Sequence, residues 1–241
     1  MDEFGARMKD YEKVFKTNLP KRMPVLLRID GKAFHTYTKG MKKPFDKDLN
    51  QAMWDTAKFL CENIMGAKIA YHQSDEISIL LTNFNKITTE SWFDNNLQKI
   101  VSVAASLATA KFNEIMRAKY PEKELAFFDC RAWVLPKDEV NNYFLWRQQD
   151  ATKNSISMVA QEYFSPKRLH KKNGSMKKDM LMEVGVNWNE LPAWQKRGAC
   201  IVKKEVLVNG TKRNKWIADE NTPIFSQNTD YIERFVRLNQ N

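Results

Sequence analysis

Val25-Leu26-Leu27-Arg28-Ile29-Asp30-Gly31 is a short apolar run that ends in a carboxylate and a glycine. A second run, Ile69-Ala70-Tyr71-His72-Gln73-Ser74-Asp75-Glu76, ends in an acid pair and passes straight into Ile77-Ser78-Ile79-Leu80-Leu81. Both have the length and composition of strands. An acid at the tip of one strand and an acid pair at a tight turn between two others can converge on one point. Such a point offers the oxygen ligands that Mg²⁺ prefers, to be completed by backbone carbonyls and the phosphates of a substrate. Two such ions can clamp both the attacking and the leaving oxygen of a phosphoryl transfer. The tips therefore point to a nucleotidyl-transfer enzyme.

Working outward from these runs gives the fold. Between them lies a loop with Gly40 and Pro44. From Asp48, the apolar residues Leu49, Met53, Ala57, Leu60, Cys61 and Ile64 fall three or four apart, one face of a helix closed by Gly66. Lys68 to Ser74 and Ile77 to Thr82 read as an antiparallel hairpin. Trp92 to Lys119 predicts one long helix stopped by Pro121, and Ala126 to Leu135 a strand that ends at Pro136. The order is β-α-β-β-α-β, the ferredoxin-like arrangement of an α+β fold. On this reading the first strand and the strand that enters the hairpin lie side by side, which brings Asp30 and Asp75 together.

The flanks are plainer. Asp2 to Asn18 is charged and partly amphipathic, a helix interrupted by Pro20 and Pro24. Residues 1–136 form one unit on this reading, and 137–241 a helical and hairpin extension. Asp138 to Tyr163 reads as a helix, followed by a basic stretch with Lys167, Arg168, His170, Lys171, Lys172, Lys177 and Lys178. Ala199 to Val208, Asn209-Gly210 and Thr211 to Ala218 give a hairpin signal, because Asn-Gly suits a type I′ turn. A short helix spans Asp230 to Leu238.

Composition bounds the partners. The 241 residues include 39 Lys and Arg against 29 acids, a net charge of +10 that favours a polyanionic partner. Hydrophobic residues make up 43%, with seven Trp and fourteen Phe, so a disordered chain is excluded. Cys61, Cys130 and Cys200 stand far apart, without metal-ligand or disulfide spacing, which suits a reducing cytoplasm. No apolar run follows Met1 as in a signal peptide, and none has membrane-spanning length.

Each motif also has an ordinary structural reading. Asp-Gly at a strand end is most often a turn, and so is Ser-Asp-Glu at a hairpin tip. The basic stretch can be a solvated face. His35, His72 and His170 show no zinc or catalytic spacing and read as hydrogen-bonding or loop residues. The acids on neighbouring strands of one topology favour a metal site.

The chain also resembles the tRNA-His guanylyltransferases and the related Thg1-like 3′–5′ polymerases. The likeness runs through Arg28-Ile29-Asp30-Gly31-Lys32-Ala33-Phe34-His35, Lys43-Pro44, Gln73-Ser74-Asp75-Glu76, Phe128-Asp129-Cys130-Arg131, Trp146-Arg147-Gln148-Gln149-Asp150, Asn187-Trp188-Asn189-Glu190-Leu191-Pro192 and Arg197-Gly198. It implies a polymerase-palm-type catalytic domain and nucleotide addition to the 5′ end of tRNA. The 5′-monophosphate is activated with ATP or GTP, and the 3′-hydroxyl of an incoming nucleotide then displaces the activating group. The resemblance makes Asp30, Asp75 and the Gly31 carbonyl ligands of two Mg²⁺ ions and Glu76 a further catalytic acid. It puts Asp30, Gly31, Lys32, Ala33, Phe34, His35, Ser74 and Asp75 in the nucleotide pocket, with Lys43 and Lys99 on the triphosphate. It also implies a homotetramer. Lys167, Arg168, Lys171, Lys172 and Lys178 are the expected tRNA contacts.

Two departures bear on the substrate. Thr152-Lys153-Asn154-Ser155 stands where the eukaryotic enzymes carry His-Ile-Asn-Asn, and Asn96 stands where they carry a triphosphate-binding arginine. Template-directed repair of 5′-truncated tRNA is therefore expected over dedicated guanosine addition to tRNA-His. A nucleotidyl cyclase would share the sheet and the acids but not need the basic C-terminal region. An RNA-recognition module would display aromatics on its central strands, and Ile77 to Leu81 has none.

Overall fold

Alternation along the first strand decides which core each side chain meets. In β1 (Val25–Gly31), Val25, Leu27 and Ile29 enter one core and Leu26 another, so Arg28 and Asp30 share the face of Leu26. The computed structural model describes residues 2–208 and 210–237. In chain order the other elements are α1 (Glu3–Val14), α2 (Phe34–Tyr37), α3 (Lys47–Asn63), β2 (Ala67–Gln73), β3 (Glu76–Leu81), α4 (Leu97–Lys119), β4 (Phe128–Val134), α5 (Glu139–Tyr163), α6 (Pro166–Leu169), α7 (Gly174–Glu183), α8 (Ala193–Arg197), β5 (Ala199–Val208), β6 (Thr211–Asp219) and α9 (Asp230–Glu233).

The expected βαββαβ order is present, in one antiparallel sheet ordered β4-β1-β3-β2-β5-β6. One expected adjacency is corrected. The neighbour of β1 is β3, which leaves the hairpin, not β2, which enters it. β3 is buried at every position, and a strand covered on both faces belongs at the centre. The acids still meet, because the register sets Asp30 opposite Glu76, the residue after Asp75.

The hairpin of β5 and β6 continues the same sheet, with Ala70 opposite Ile201 and Tyr71 opposite Cys200. Asn209 of its turn signal and Leu238 of the expected last helix lie outside the described residues. The long helix expected from Trp92 is broken: Phe93, Asp94 and Asn95 have positive φ (50°, 51° and 58°), and α4 starts afresh under an Asn96 cap. The Asn96 Oδ1 accepts the Lys99 N–H at 3.0 Å, a cap worth about 1 kcal/mol.

Helices α3 and α4 cover one face of the sheet, burying Met53, Leu60 and Phe112 against Leu27, Ile29 and Ile79. The first half of α5 and α9 cover the other, where Phe144, Phe225 and Ile232 meet Leu26, Tyr71 and Leu80. The second half of α5 runs past the sheet and builds a third cluster, in which Val159, Phe164, Leu181 and Trp188 are buried. That overhang creates the wall of a cleft. Phe112 is fully buried between the rings of Phe34 and Phe128, at 5.5 and 5.3 Å. Phe112→Ala should cost about 3–5 kcal/mol in chemical denaturation; a loss below about 1 kcal/mol would show that this core is not packed as described.

Candidate active site

Ser74 and Asp75 alone connect β2 to β3. Ser74 has φ 52°, a left-handed conformation that a non-glycine residue holds at a cost of order 1–3 kcal/mol. Across from this tip the Gly31 N–H donates to the Asp75 carbonyl at 3.1 Å. A Cβ on Gly31 would run into the Phe34 ring, so only glycine lets that ring pack beneath the tip. Ala33, at φ 54°, is a second strained residue, opening α2.

Acids line up across the strand ends. Asp30 lies opposite Glu76 on one side and opposite Asp129 on the other, all on the α5 face. Burial first, and then the Asp129 charge, pushes the Asp30 carboxyl above the usual range; Arg28, Arg131 and Arg147 oppose the shift. Burial likewise raises Asp75; a hydrogen bond from the Ser74 side chain opposes this, and the Asp30 charge adds to it. The two carboxylates are thus close enough to repel.

Glu76 has a different setting. Its buried carboxylate receives the Arg147 Nε–H at 2.8 Å and a second guanidinium N–H at 2.7 Å, and the Ser78 hydroxyl at 3.3 Å. Arg147 also donates to Asp150 at 3.0 Å and lies over the Trp146 ring at 4.4 Å. Glu76 is expected from the resemblance as a further catalytic acid. Its side chain instead is taken up by Arg147 and does not line the cleft. This two-pronged bond fixes the start of β3 to α5.

The cleft itself has a volume of about 560 Å³, within the range of small-molecule sites. Gly31, Ser74 and Asp75 form its floor and Ala33, Phe34 and His35 one side. Lys43 enters from a loop that Asp46 staples to α3, its two carboxylate oxygens accepting the Lys42 and Leu49 N–H groups at 3.1 and 2.9 Å. Asn154, Met158 and Gln161 of α5 close the opposite side, with Trp194 of α8 between Phe45 and Trp54.

Most of the expected pocket comes together, though not all. Asp30 sits beside the floor on the α5 face, and Lys32 is exposed outside the cleft. Lys99 lies in the first turn of α4, whereas Asn113, fourteen residues further along, bonds the Ala126 backbone beside Phe128 and Gly31. At 1.5 Å per residue, Lys99 is about 20 Å along the helix from that level. One chain does not bring it to its own cleft. Lys167, Arg168, Lys171 and Lys172 are exposed just beyond the cleft-lining end of α5, while Lys178 is half-buried with its ammonium 5.6 Å from the Trp188 ring centre.

In the sequence His72 reads as an ordinary hydrogen-bonding residue, and the structure gives that bonding a purpose. The Trp54 indole N–H donates to His72 Nδ1 at 3.0 Å, and Nε2 lies 2.8 Å from the Ser74 carbonyl. Since indole can only donate and a carbonyl only accept, the ring is neutral with its proton on Nε2. It braces the strained Ser74 from below. Burial drops its pKa to about 4.

Among the described residues no three acidic, histidine or cysteine side chains are grouped to hold a metal by themselves. Asp30, Asp75 and the Gly31 carbonyl offer two carboxylates and one carbonyl. That set fits Mg²⁺, which keeps waters and substrate phosphates in its shell, and does not fit an all-protein cage. The raised carboxyls fit as well, since a cation would relieve their repulsion.

A family model for tRNAHis guanylyltransferase, Thg1, matches residues 5–136. The chain is similar to a solved bacterial tRNA(His) guanylyltransferase (Thg1)-like protein in complex with ATP, at 61% identity and TM-score 0.93, covering 98% of this chain and 100% of that one. For a bacterial Thg1-like protein in complex with GTP the values are 58% and 0.85, with the same coverage. A probable tRNA(His) guanylyltransferase of Drosophila melanogaster is 26% identical, covering 88% of this chain and 79% of its own length.

The His72 pKa has a consequence for stability. Its folded pKa, about 4, lies below the ordinary 6.5, so between those values the unfolded chain binds the extra proton and stability rises with pH. Asp30 and Asp75, raised, act in the opposite sense. A glutamine at position 72 keeps one acceptor and one donor but does not titrate. From pH 7 to pH 4.5 the parent should therefore lose about 2–3 kcal/mol more stability than His72→Gln in urea titrations; equal losses would contradict the assignment.

Proposed function

The chain belongs to the Thg1 family of tRNA(His) guanylyltransferases and is a nucleotidyltransferase, and we propose that it adds nucleotides to the 5′ end of tRNA in the 3′–5′ direction, repairing truncated 5′ ends. The observation that carries this reading is the convergence of Asp75, Gly31 and Lys43 on one cleft, with Asp30 at its edge. The likeness to bacterial proteins solved with ATP and with GTP supports both nucleotides as substrates.

Two displacements at phosphorus make up the proposed reaction. An oxygen of the RNA 5′-monophosphate attacks the α-phosphorus of ATP or GTP, and pyrophosphate leaves. The 3′-hydroxyl of the incoming nucleotide then attacks the activated 5′-phosphorus, its proton is released and AMP or GMP leaves. Such chemistry is accelerated by positioning and by neutralising charge. Asp30, Asp75 and the Gly31 carbonyl are the proposed holders of Mg²⁺, which supplies charge neutralisation at the phosphates. Lys43 meets the triphosphate as a point charge, and Ala33 to His35 bound the nucleotide. Base pairing with the 3′ strand chooses it.

Two residues favour repair over dedicated tRNA-His guanylylation. The Thr152 hydroxyl donates to the Gln148 carbonyl at 2.9 Å, and the Asn96 side chain is spent capping α4. Neither offers the imidazole or the guanidinium that the eukaryotic enzymes carry at these positions. The exposed segment Lys167 to Lys172 is the proposed tRNA contact.

With Mg²⁺, nucleotides and a 5′-truncated tRNA, products resolved at one-nucleotide resolution should grow to the templated length and stop. Asp75→Ala should slow addition by about 10²–10³-fold or more while folding normally; near-parental turnover would remove the metal site. Alanine at Lys167, Arg168, Lys171 and Lys172 together should weaken tRNA binding and flatten its dependence on log salt by about one for each phosphate no longer neutralised. An unchanged slope would make this segment a solvated face.

A further inference from the structure

Lys43 and Asp75 line one cleft from a loop and a hairpin turn that are far apart in the chain. A row of rings joins the two. The Phe45 ring meets the Trp194 ring edge-to-face with centroids 5.9 Å apart, and Trp194 meets Trp54 in the same way at 5.4 Å. The Trp54 indole N–H then donates to His72 Nδ1 at 3.0 Å, and His72 Nε2–H to the Ser74 carbonyl at 2.8 Å. The Ser74 side chain in turn hydrogen-bonds the Asp75 carboxylate. Every link is directional, since edge-to-face rings and hydrogen bonds both weaken when one partner turns.

α8, which carries Trp194, is itself seated on the strand that leads to the turn. The Tyr71 hydroxyl donates to the Arg197 carbonyl at 2.7 Å, and a Cβ on Gly198, at φ 73°, would run into the His72 carbonyl. Trp194 thus touches the loop of Lys43 while its own helix rests on β2. Trp54 is buried and does not line the cleft, so it cannot act by touching a nucleotide. Filling that space needs only a large apolar ring. Keeping a neutral His72 bonded through both nitrogens needs the indole N–H as well.

We propose that Trp194 is a positioning residue: lodged between Phe45 and Trp54, it fixes the Lys43 loop relative to the Asp75 turn, and the Trp54–His72–Ser74 bonds carry that register to the carboxylate. The inference rests on the reading that Lys43 and Asp75 hold a triphosphate in the cleft, and adds that α8 sets their spacing. A shift of about 1 Å in such a spacing can cost about a hundredfold in rate.

Double-mutant cycles on calorimetric binding of a non-hydrolysable triphosphate with Mg²⁺ separate positioning from contact. Trp194→Leu should weaken binding by about tenfold, and Trp194→Phe, which keeps an edge-to-face ring, should recover most of the loss. In a Lys43→Ala background the same Trp194→Leu change should lose most of its effect, because no ammonium is left to place. An indole that merely touches the nucleotide would leave the two losses additive. Trp54→Phe keeps the ring under Trp194 and removes only the N–H; it should weaken binding by about fivefold in the parent and hardly at all beside Asp75→Asn. Urea unfolding checks that each variant is folded, and the Trp54→Phe cycle decides alone where Trp194→Leu is not. An additive cycle at either site overturns the proposal. If Lys43→Ala and Asp75→Asn by themselves leave binding unchanged, the reading of the cleft falls and the proposal with it.

Discussion

The hydrogen bond from the Gly31 N–H to the Asp75 carbonyl ties the tip of the β2–β3 hairpin to the end of β1. It joins two strand ends that are not consecutive in the chain, and the rest of the site is arranged around it. Gly31 must be glycine for the Phe34 ring to lie beneath. Ser74 must accept a left-handed conformation for the turn to close in two residues, and His72, held by Trp54, anchors its carbonyl. Strain is thus stored where the chemistry is expected and is sustained by buried neighbours.

The same geometry creates an electrostatic problem and partly solves it. Asp129, Asp30 and Glu76 stand side by side across three strand ends, with Asp75 next to them. Arg147 takes Glu76 out of this group by a two-pronged buried bond. A buried pair of this kind adds little net stability, since desolvation offsets attraction, but it fixes orientation. What remains is Asp129, beside the Arg131 guanidinium at 3.6 Å, and the pair Asp30 and Asp75, both raised by burial and by neighbouring negative charge. Two unneutralised carboxylates beside a cleft that also admits Lys43 suit a divalent cation arriving with a triphosphate.

The strand and helix order was legible in the sequence because its signals are local. Apolar runs bounded by Asp-Gly and Ser-Asp-Glu marked β1, β2 and β3, and the spacing from Leu49 to Ile64 marked α3. Which hairpin strand pairs with β1 is decided by burial of β3 on both faces, and no local pattern distinguished it from β2. The break before α4 was hidden because Phe93, Asp94 and Asn95 take positive φ without a glycine to announce it. Glu76 and Arg147 are 71 residues apart, so sequence could name both but not join them. Lys99 was carried over by resemblance, and only the direction of α4 shows how far along the helix it stands. The α5 wall was legible as a helix; its overhang beyond the sheet was not.

Calorimetric binding of a non-hydrolysable triphosphate to the parent and to Asp75→Asn, each with and without Mg²⁺, tests the metal-holding role of the strand tips most directly. Binding should strengthen with Mg²⁺ in the parent and lose that dependence in the variant. Because one of two repelling carboxylates is neutralised, the variant should also unfold at the same or higher denaturant concentration. Equal Mg²⁺-dependent affinity in both proteins would contradict the assignment of the reactive site to Asp75 and Asp30.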